Sequence, residues 1–423
     1  MNNSIRQSEL FTRTKKEAPA DEVSKNAELL IRGGYIHKEM AGVYSYLPLG
    51  LRVLKKIEDI IREEMNAIGG QELEMSSLQN PELWKKTDRW DDEKVDVWFK
   101  TKLKNDTELG LGFTHEEPLT EIMKNHISSY RDLPCGAYQF QMKFRNETRA
   151  KSGIMRTREF VMKDLYSFSK DQKEHDKFYE KVKEAYKNIF KRAGIGHLTY
   201  LTFASGGSFS KFSHEFQTIT GAGEDVIYVD ESKGIAVNKE VFEEDVLNDL
   251  GLVKDNLVEN RAVEVGNIFT LGTRFSEALD LNYQAEDGSK QPVFMGSYGI
   301  GPARLMGTIV EVLSDDKGII WPEEVAPFRV HLLTLGEDEA VIKEAEKVYE
   351  GLLEKNIEVL FDDRVGVSPG EKFADSDLLG VPYRVVVSAR SMKENGVELK
   401  KRNEEKGRVI SAEELLKLLS SDR

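Results

Sequence analysis

The 423-residue sequence predicts an α+β domain built on an antiparallel sheet, followed by a smaller α/β domain whose sheet is mostly parallel. Three features predict it. Strand-length apolar runs at 136–144, 160–168 and 225–229 are set among long amphipathic helical stretches. A break follows at Trp321 to Pro327, where two prolines bracket an acidic turn. Beyond it, strand-like and helix-like segments alternate at 328–335, 341–355, 357–361, 375–379, 383–387 and 412–419. The expected division is therefore 1–325 and 326–423.

The first helix rests on Leu51, Leu54, Ile57, Ile61, Met65 and Ile68, which recur every three or four residues as one helix face requires. Pro48 and Gly50 punctuate its start and Gly69-Gly70 its end. A second helix over 172–193 carries Phe178, Val182, Ala185, Tyr186 and Ile189 on one side and charges on the other. The segment 230–261 is rich in acidic residues, with helical periodicity around 241–250, and reads as a small connecting module.

Composition bounds the function. The chain exceeds what one core usually organises, so at least two domains are expected. With 39% hydrophobic and 32% charged residues it reads as a globular protein. No apolar stretch is long enough to span a bilayer, and the polar start from Met1 to Phe11 lacks a signal-peptide core, so a cytoplasmic protein without a membrane partner is expected. The single cysteine, Cys135, rules out an intramolecular disulfide and a cysteine-rich zinc site, and reads as a packing residue. A net charge of −14 argues against indiscriminate adhesion to nucleic acid, while leaving room for a local basic face.

The densest chemical signal is Phe144-Arg145-Asn146-Glu147, followed by Arg156-Thr157-Arg158-Glu159-Phe160. Arginines at two strand ends, joined by a loop holding Arg149, Lys151 and Gly153, suit a cationic clamp. Guanidinium groups bind phosphates in pairs of hydrogen bonds and neutralise charge that builds during phosphoryl-group chemistry. Glu147 could accept from an adenine amino group. A hairpin with solvated charges fits the same residues. In Gly296-Ser297-Tyr298-Gly299-Ile300-Gly301-Pro302-Ala303-Arg304 the glycines allow close backbone approach before an arginine opens a helix. The spacing is not a dinucleotide fingerprint, and a purely structural turn reads the same way. Thr114-His115-Glu116-Glu117 and Ser213-His214-Glu215-Phe216 lack the two-histidine zinc spacing, so no metal site is expected. A Thr and a Glu together can hold a cationic amine, or simply cap a strand end.

In this order the segments resemble class II aminoacyl-tRNA synthetases over almost the whole chain. Residues 144–147 with 156–160 are similar to the second class motif and 296–304 to the third. Within the class, the prolyl type of bacterial members is resembled by Thr114-His115-Glu116-Glu117, Met162-Lys163-Asp164, Tyr166-Ser167-Phe168, Gly206-Gly207, Ser213-His214-Glu215-Phe216, Gly266-Asn267-Ile268-Phe269 and Leu271-Gly272-Thr273. Asp362-Asp363-Arg364, Pro369-Gly370, Lys372-Phe373-Ala374-Asp375 and Leu379-Gly380-Val381-Pro382 look like the family's anticodon-binding domain.

The resemblance implies a six- or seven-stranded antiparallel sheet with flanking helices, the α/β anticodon-binding domain, and a homodimer joined through the 51–68 helix. Ser76 stands where the family usually has proline. A long hydrolytic editing insertion is common between the second and third motifs, whereas 230–261 leaves room only for a short helical linker. Editing in cis is therefore not expected.

The implied reaction joins L-proline to its tRNA through a prolyl-adenylate, with ATP as substrate and Mg²⁺ bridging its phosphates. Arg145 would bridge the proline carboxylate and the α-phosphate. Arg156 would hold the outer phosphates, Arg304 the γ-phosphate or ribose side, and Glu147 adenine. Thr114 and Glu116 would bind the secondary ammonium. Phe168, His214 and Phe216 would wall the ring, or pack without touching it. Arg364, Lys372 and Asp375 would lie near anticodon bases or backbone. Two competing expectations are a ligase for threonine, serine, glycine or histidine, and a synthetase-like regulator without catalysis. The second conflicts with the presence of Arg145, Glu147, Arg156 and Arg304 together.

Overall fold

The computed structural model describes residues 4–148, 150, 152–205 and 212–421. Arg149, Lys151, Gly206 and Gly207, singled out above, lie outside the described residues. By packing, the chain divides into two compact units. One comprises 40–43 and 57–308; the other comprises 1–39, 44–56 and 309–423. The expected linear division at 325/326 thus differs from the packing, in which the N-terminal segment belongs with the C-terminal domain.

Among the described residues the main sheet of the larger unit has nine strands rather than six or seven. Their order is Phe212–Ile219, Thr199–Ser205, Ile235–Asn238, Asp225–Asp230, Val258–Gly272, Phe294–Ile300, Glu159–Ser169, Cys135–Phe144 and Gly70–Glu72. Pairing is antiparallel except where Thr199–Ser205 meets Ile235–Asn238 and where Gly70–Glu72 meets Cys135–Phe144. Phe212–Ile219 also pairs with Val258–Gly272, which closes five strands into a small barrel around Ile227, Val229, Ala236 and Ala262. One of the added strands comes from the segment expected to be a short helical linker. Residues 230–261 supply Ile235–Asn238 and the start of the 258–272 strand, with only short helical turns between. The helical periodicity around 241–250 corresponds to the short helix Glu244–Asp249, and Val237, Leu247 and Leu252 form a core of their own.

Helix Gln172–Arg192 covers one face of this sheet with Phe178, Val182, Tyr186, Ile189 and Phe190 buried, close to the predicted span. Helix Pro48–Ala67 begins three residues earlier than expected, because Pro48 suits a first helical turn. Its buried face carries Val53, Ile57, Ile60, Ile61 and Met65, and Leu51 points outward.

In the smaller unit Ile5–Arg6, Val359–Asp362, Val330–Leu335 and Tyr383–Ser388 run parallel in that order, and Val397–Lys401 and Arg408–Ile410 add antiparallel strands. Helices Glu339–Glu354 and Ala412–Ser421 pack on Val330, Leu332, Val359 and Val385. Among the described residues no helix is long and apolar enough to cross a membrane.

Candidate active site

The hairpin of Cys135–Phe144 and Glu159–Ser169 ends beside the turn into helix Pro302–Val312, and a cleft of about 510 Å³ opens there. Arg145, Glu147, Arg156, Glu264, Asn267 and Arg304 line it. Arg145 lies over the Phe160 ring, 5.2 Å from its centre, and its Nε and Nη2 reach the Phe113 carbonyl at 3.4 Å. Burial, and then the neighbouring Arg304 charge, lower its pKa from the ordinary value. Arg156 donates to Glu147 at 3.1 and 2.9 Å and to Glu224 at 2.7 Å, and the bond to Glu147 raises its pKa. Arg304 Nε donates to the Met155 carbonyl at 3.0 Å, and its Nη1 to the Glu264 carbonyl at 3.0 Å and carboxylate at 3.2 Å. Three guanidinium groups therefore face one cavity, which separates the clamp from a hairpin of solvated charges.

The glycine-rich strand has a specific steric reason at Gly299. Its N–H donates to Asn267 Oδ1 at 3.1 Å, and a Cβ there would stand 2.8 Å from that oxygen. Asn267 Nδ2 in turn donates to Glu264 at 2.9 Å, which fixes the carboxylate that Arg304 meets.

A second, enclosed group of polar side chains adjoins the Arg145 end. The Thr114 hydroxyl donates to Glu116 at 2.8 and 2.7 Å, and the Tyr166 hydroxyl adds a bond of 3.2 Å. Arg89 Nη1 donates to Glu116 at 3.1 Å and to Glu117 at 3.0 Å, and Thr87 donates to Glu117 at 2.7 Å. Burial works to raise the Glu116 pKa, but Arg89 and Thr114 outweigh it and hold the carboxylate below its ordinary value. Glu117, buried with only a share of Arg89, is pushed up to about 7.

Behind them Lys143 donates to Asp164 at 2.9 Å and meets His115 Nδ1 at 2.6 Å. An ammonium has only donors, so Nδ1 accepts and the His115 Nε2–H donates to the Ser76 carbonyl at 3.0 Å. Burial and then the Lys143 charge lower His115 to about 4, which keeps it neutral. At the position where proline was expected, Ser76 thus contributes a backbone acceptor to the pocket's support. Phe168 shares a strand face with Asp164 and Tyr166 and is fully buried against Tyr166, Leu271 and Met295. Cys135 joins the rim of the same apolar cluster, its thiol pushed up to about 11 by burial.

For His214 and Phe216 the contacts agree with the alternative of packing away from this pocket. His214 Nδ1 lies 2.6 Å from the Tyr179 hydroxyl in a hydrogen bond, and the Phe216 ring lies 5.4 Å from Tyr186 and 5.3 Å from Phe190. All three partners belong to helix Gln172–Arg192, so both side chains occupy the helix-covered face of the sheet. Strand alternation is the reason. Glu215, opposite Asn267 across the strand pair, takes the cleft face, where Gln217 bridges it at 2.8 Å to Asp225 at 2.9 Å. Burial, then Glu264, push Glu215 up to about 7, and burial raises Asp225.

In the other unit the three expected anticodon contacts are engaged with one another's surroundings. Lys372 Nζ donates to the carbonyls of Thr334 at 2.9 Å and Asp362 at 3.3 Å. Arg364 forks onto Asp362 at 2.9 and 2.7 Å and reaches Asp375 at 2.8 Å, and Asp375 also accepts from Thr14 at 2.5 Å. Lys372 and Asp375 are largely buried, though Lys372 still lines the neighbouring cleft. They brace the loop that carries Arg364.

Sequence reasoning missed Arg89, Lys143 and Glu264 as parts of the site. A signal for Lys143 was present, since Gln139, Gln141 and Lys143 alternate with apolar residues and mark a polar face that turns out to be buried. Arg89 sits in a charged loop and carries no such mark. Among the described residues no group of three or more His, Cys, Asp or Glu side chains is arranged to hold a metal ion.

Residues 99–313 match the family model of the tRNA synthetase class II core domain (G, H, P, S and T), and 329–422 match that of the anticodon binding domain. A proline–tRNA ligase of Wolbachia pipientis is 38% identical over 430 residues, covering 99% of this chain and 100% of that protein. One from Rickettsia bellii is 38% identical over 408 residues, covering 93% and 94%. The fold is similar to that of the Cryptosporidium parvum prolyl-tRNA synthetase complexed with halofuginone and AMPPNP. The TM-score is 0.77 at 18% identity, over 92% of this chain and 75% of that one. The Giardia lamblia prolyl-tRNA synthetase in complex with prolyl-adenylate gives a TM-score of 0.76 at 17% identity, over 92% and 74%.

Proposed function

The chain belongs to the proline–tRNA ligase family of class II synthetases, and from that premise we infer how its own residues carry the reaction. The enzyme ligates L-proline to its tRNA at the expense of ATP, through a prolyl-adenylate. The observation that carries the assignment of roles is the adjacency of the Thr114–Glu116 pair to the three-arginine cleft. One end suits a small cationic amine and the other a triphosphate.

Thr114 and Glu116 bind the secondary ammonium of proline, with Glu116 kept ionised by Arg89. Arg145 bridges the proline carboxylate and the α-phosphate, which orients the two for in-line attack and offsets their mutual repulsion. Arg156 and Arg304 hold the outer phosphates, and Glu147 accepts from the adenine amino group. Mg²⁺ carried on the nucleotide would offset phosphate charge, and Glu264, a carboxylate lining the cleft, would be the oxygen donor to hold it. No side chain is assigned as a general base for transfer to the terminal hydroxyl of the tRNA.

The insertion point between the second and third motifs holds only the barrel strands and short turns of 225–261, so the ligase has no editing domain in cis. A pocket built for proline gains only about 1 to 3 kcal/mol against a smaller amino acid. Mischarged alanine is therefore cleared by a separate protein, and hydrolysis of alanyl-tRNA by the purified enzyme would contradict this. A cytoplasmic homodimer is the working assembly; the support is the family resemblance through helix Pro48–Ala67 and the meeting of ATP and tRNA in the cytosol. The reaction itself is tested by following ATP-dependent attachment of labelled proline to a proline tRNA transcript. Failure to charge it, with threonine or serine charged to their own tRNAs instead, would sink the assignment.

A further inference from the structure

The smaller unit contains a second cleft, of about 1200 Å³, whose lining includes Arg6, Gly336, Asp363, Arg364 and Val365. Its position follows from topology. The chain passes from Val330–Leu335 through helix Glu339–Glu354 to a strand on one side, then from Val359–Asp362 through helix Pro369–Leu379 to a strand on the other side. Crossovers of one hand in opposite directions send these helices to opposite faces and leave a crevice beyond the carboxyl ends of the two strands, where open α/β sheets bind ligands. The cleft lies there, lined by the loops after both strands.

A third parallel strand feeds the same crevice. Ile5–Arg6 pairs with Val359–Asp362, so Arg6 stands at a carboxyl end beside Phe361. Its guanidinium forks onto Glu346 at 2.8 and 2.7 Å, meets Asp363 at 3.4 Å, and lies 5.1 and 5.2 Å from the ring centres of Phe361 and Tyr349. Gln7 bonds His331 at 2.9 Å and Ser8 bonds Asp363 at 3.1 and 2.9 Å, so the arm is tied down immediately after the arginine.

We propose that Arg6, delivered by the N-terminal arm, is an RNA-contacting residue of the C-terminal domain, reading an unstacked base of the tRNA anticodon loop in this crevice. The proposal rests on the ligase reading above and deepens it by naming the residue and the kind of group read. Local charge selects the base over the backbone. The cations Arg6, Arg364 and Lys372 are matched in the lining by Glu337, Glu346 and Asp363, so the cleft offers a phosphate no net attraction. It offers a base a braced guanidinium plane to stack on, carboxylates to accept from amino and imino groups, and apolar edges at Ile342 and Val365, 40% and 77% exposed.

The test uses the full-length enzyme, a proline tRNA transcript, and the same transcript with its anticodon replaced. For Arg6→Ala the KM for the cognate transcript rises about tenfold, and most of the preference over the replaced anticodon disappears, as loss of one base contact requires. Proline-dependent pyrophosphate exchange without tRNA reports that the same preparation is folded. Ser8→Ala, which loosens the arm but keeps the guanidinium, leaves the tRNA KM within about twofold. An Arg6→Ala enzyme with wild-type KM and preference overturns the proposal, as does a Ser8→Ala enzyme impaired equally. A wild-type enzyme that activates proline but charges both transcripts alike overturns instead the anticodon reading on which the proposal rests.

Discussion

Arg89 donates through one nitrogen to both Glu116 and Glu117, at 3.1 and 3.0 Å, so a single guanidinium serves two adjacent carboxylates that are 7% and 0% exposed. The shared cation divides their protonation. Glu116, which also accepts from Thr114 and Tyr166, is held ionised, while Glu117 is raised to about 7. The charge that receives the prolyl ammonium is therefore set by a residue outside the recognised motifs.

Arg89→Ala removes that cation and leaves two buried carboxylates facing each other. Loss of one partner from a buried ion pair costs about 3 to 5 kcal/mol, and a lower Tm is expected. In pyrophosphate exchange at a permissive temperature the KM for proline rises at least about tenfold while the KM for ATP changes little. A parallel rise in both would show that Arg89 shapes the cleft as a whole.

Phe216→Ala separates packing from substrate contact. The ring is buried between Tyr186 and Phe190, so removal destabilises by about 3 to 5 kcal/mol in denaturant titration. The KM for proline stays within about twofold, because the side chain lies across the sheet from the pocket. A selective loss of proline affinity in a folded variant would restore Phe216 to the pocket wall.

Glu215 carries a pH dependence with a defined sign. Its folded pKa, about 7, lies above the ordinary glutamate value of 4.5, so folding takes up a proton. The raised pKa costs nothing below the lower value, and stability falls as pH climbs through the window to about 7, by on the order of 3 kcal/mol in all. Glu215→Gln removes this dependence, so the wild type loses more stability than the variant between about pH 5 and pH 8. Equal losses in thermal melts would contradict it.

Arg364→Ala tests the bracing role of the C-terminal polar trio. Asp362 and Asp375 lose the guanidinium that joins them, and a folding loss of about 3 to 5 kcal/mol in the smaller unit is expected. Hydrogen exchange should show it as faster opening of Val359–Asp362 and Pro369–Leu379, with the sheet of the larger unit unchanged.

Periodicity made the long elements legible. Helix Gln172–Arg192 and the strands Cys135–Phe144 and Glu159–Ser169 fall within a residue or so of their predicted spans, because a helix-period apolar stripe marks the one and strand-length apolar-rich runs mark the others. The clamp residues Arg145, Glu147, Arg156 and Arg304 also do meet in one cleft. What failed was facing. Four consecutive residues, Ser213 to Phe216, appeared as one motif, yet a strand sends neighbours to opposite faces, and nothing local said which pair would see the cleft. Residues 230–261 hold a short helix where periodicity placed one, but their charges obscure the short strand Ile235–Asn238 beside it. Arg89 and Arg6 gain their roles wholly from tertiary contacts, Arg89 from Glu116 and Arg6 from a sheet completed by residues more than three hundred positions away.

The central claim is that the Thr114–Glu116 pocket and the three-arginine cleft together activate proline. Pyrophosphate exchange with proline, alanine, threonine, serine and histidine supplied one at a time tests it most directly, on the wild type and on Arg145→Ala. The predicted result is exchange strongest with proline and reduced by about two to three orders of magnitude in the variant, the scale of losing a positioned charge-stabilising group. Exchange strongest with another amino acid, or undiminished in Arg145→Ala, would contradict the account.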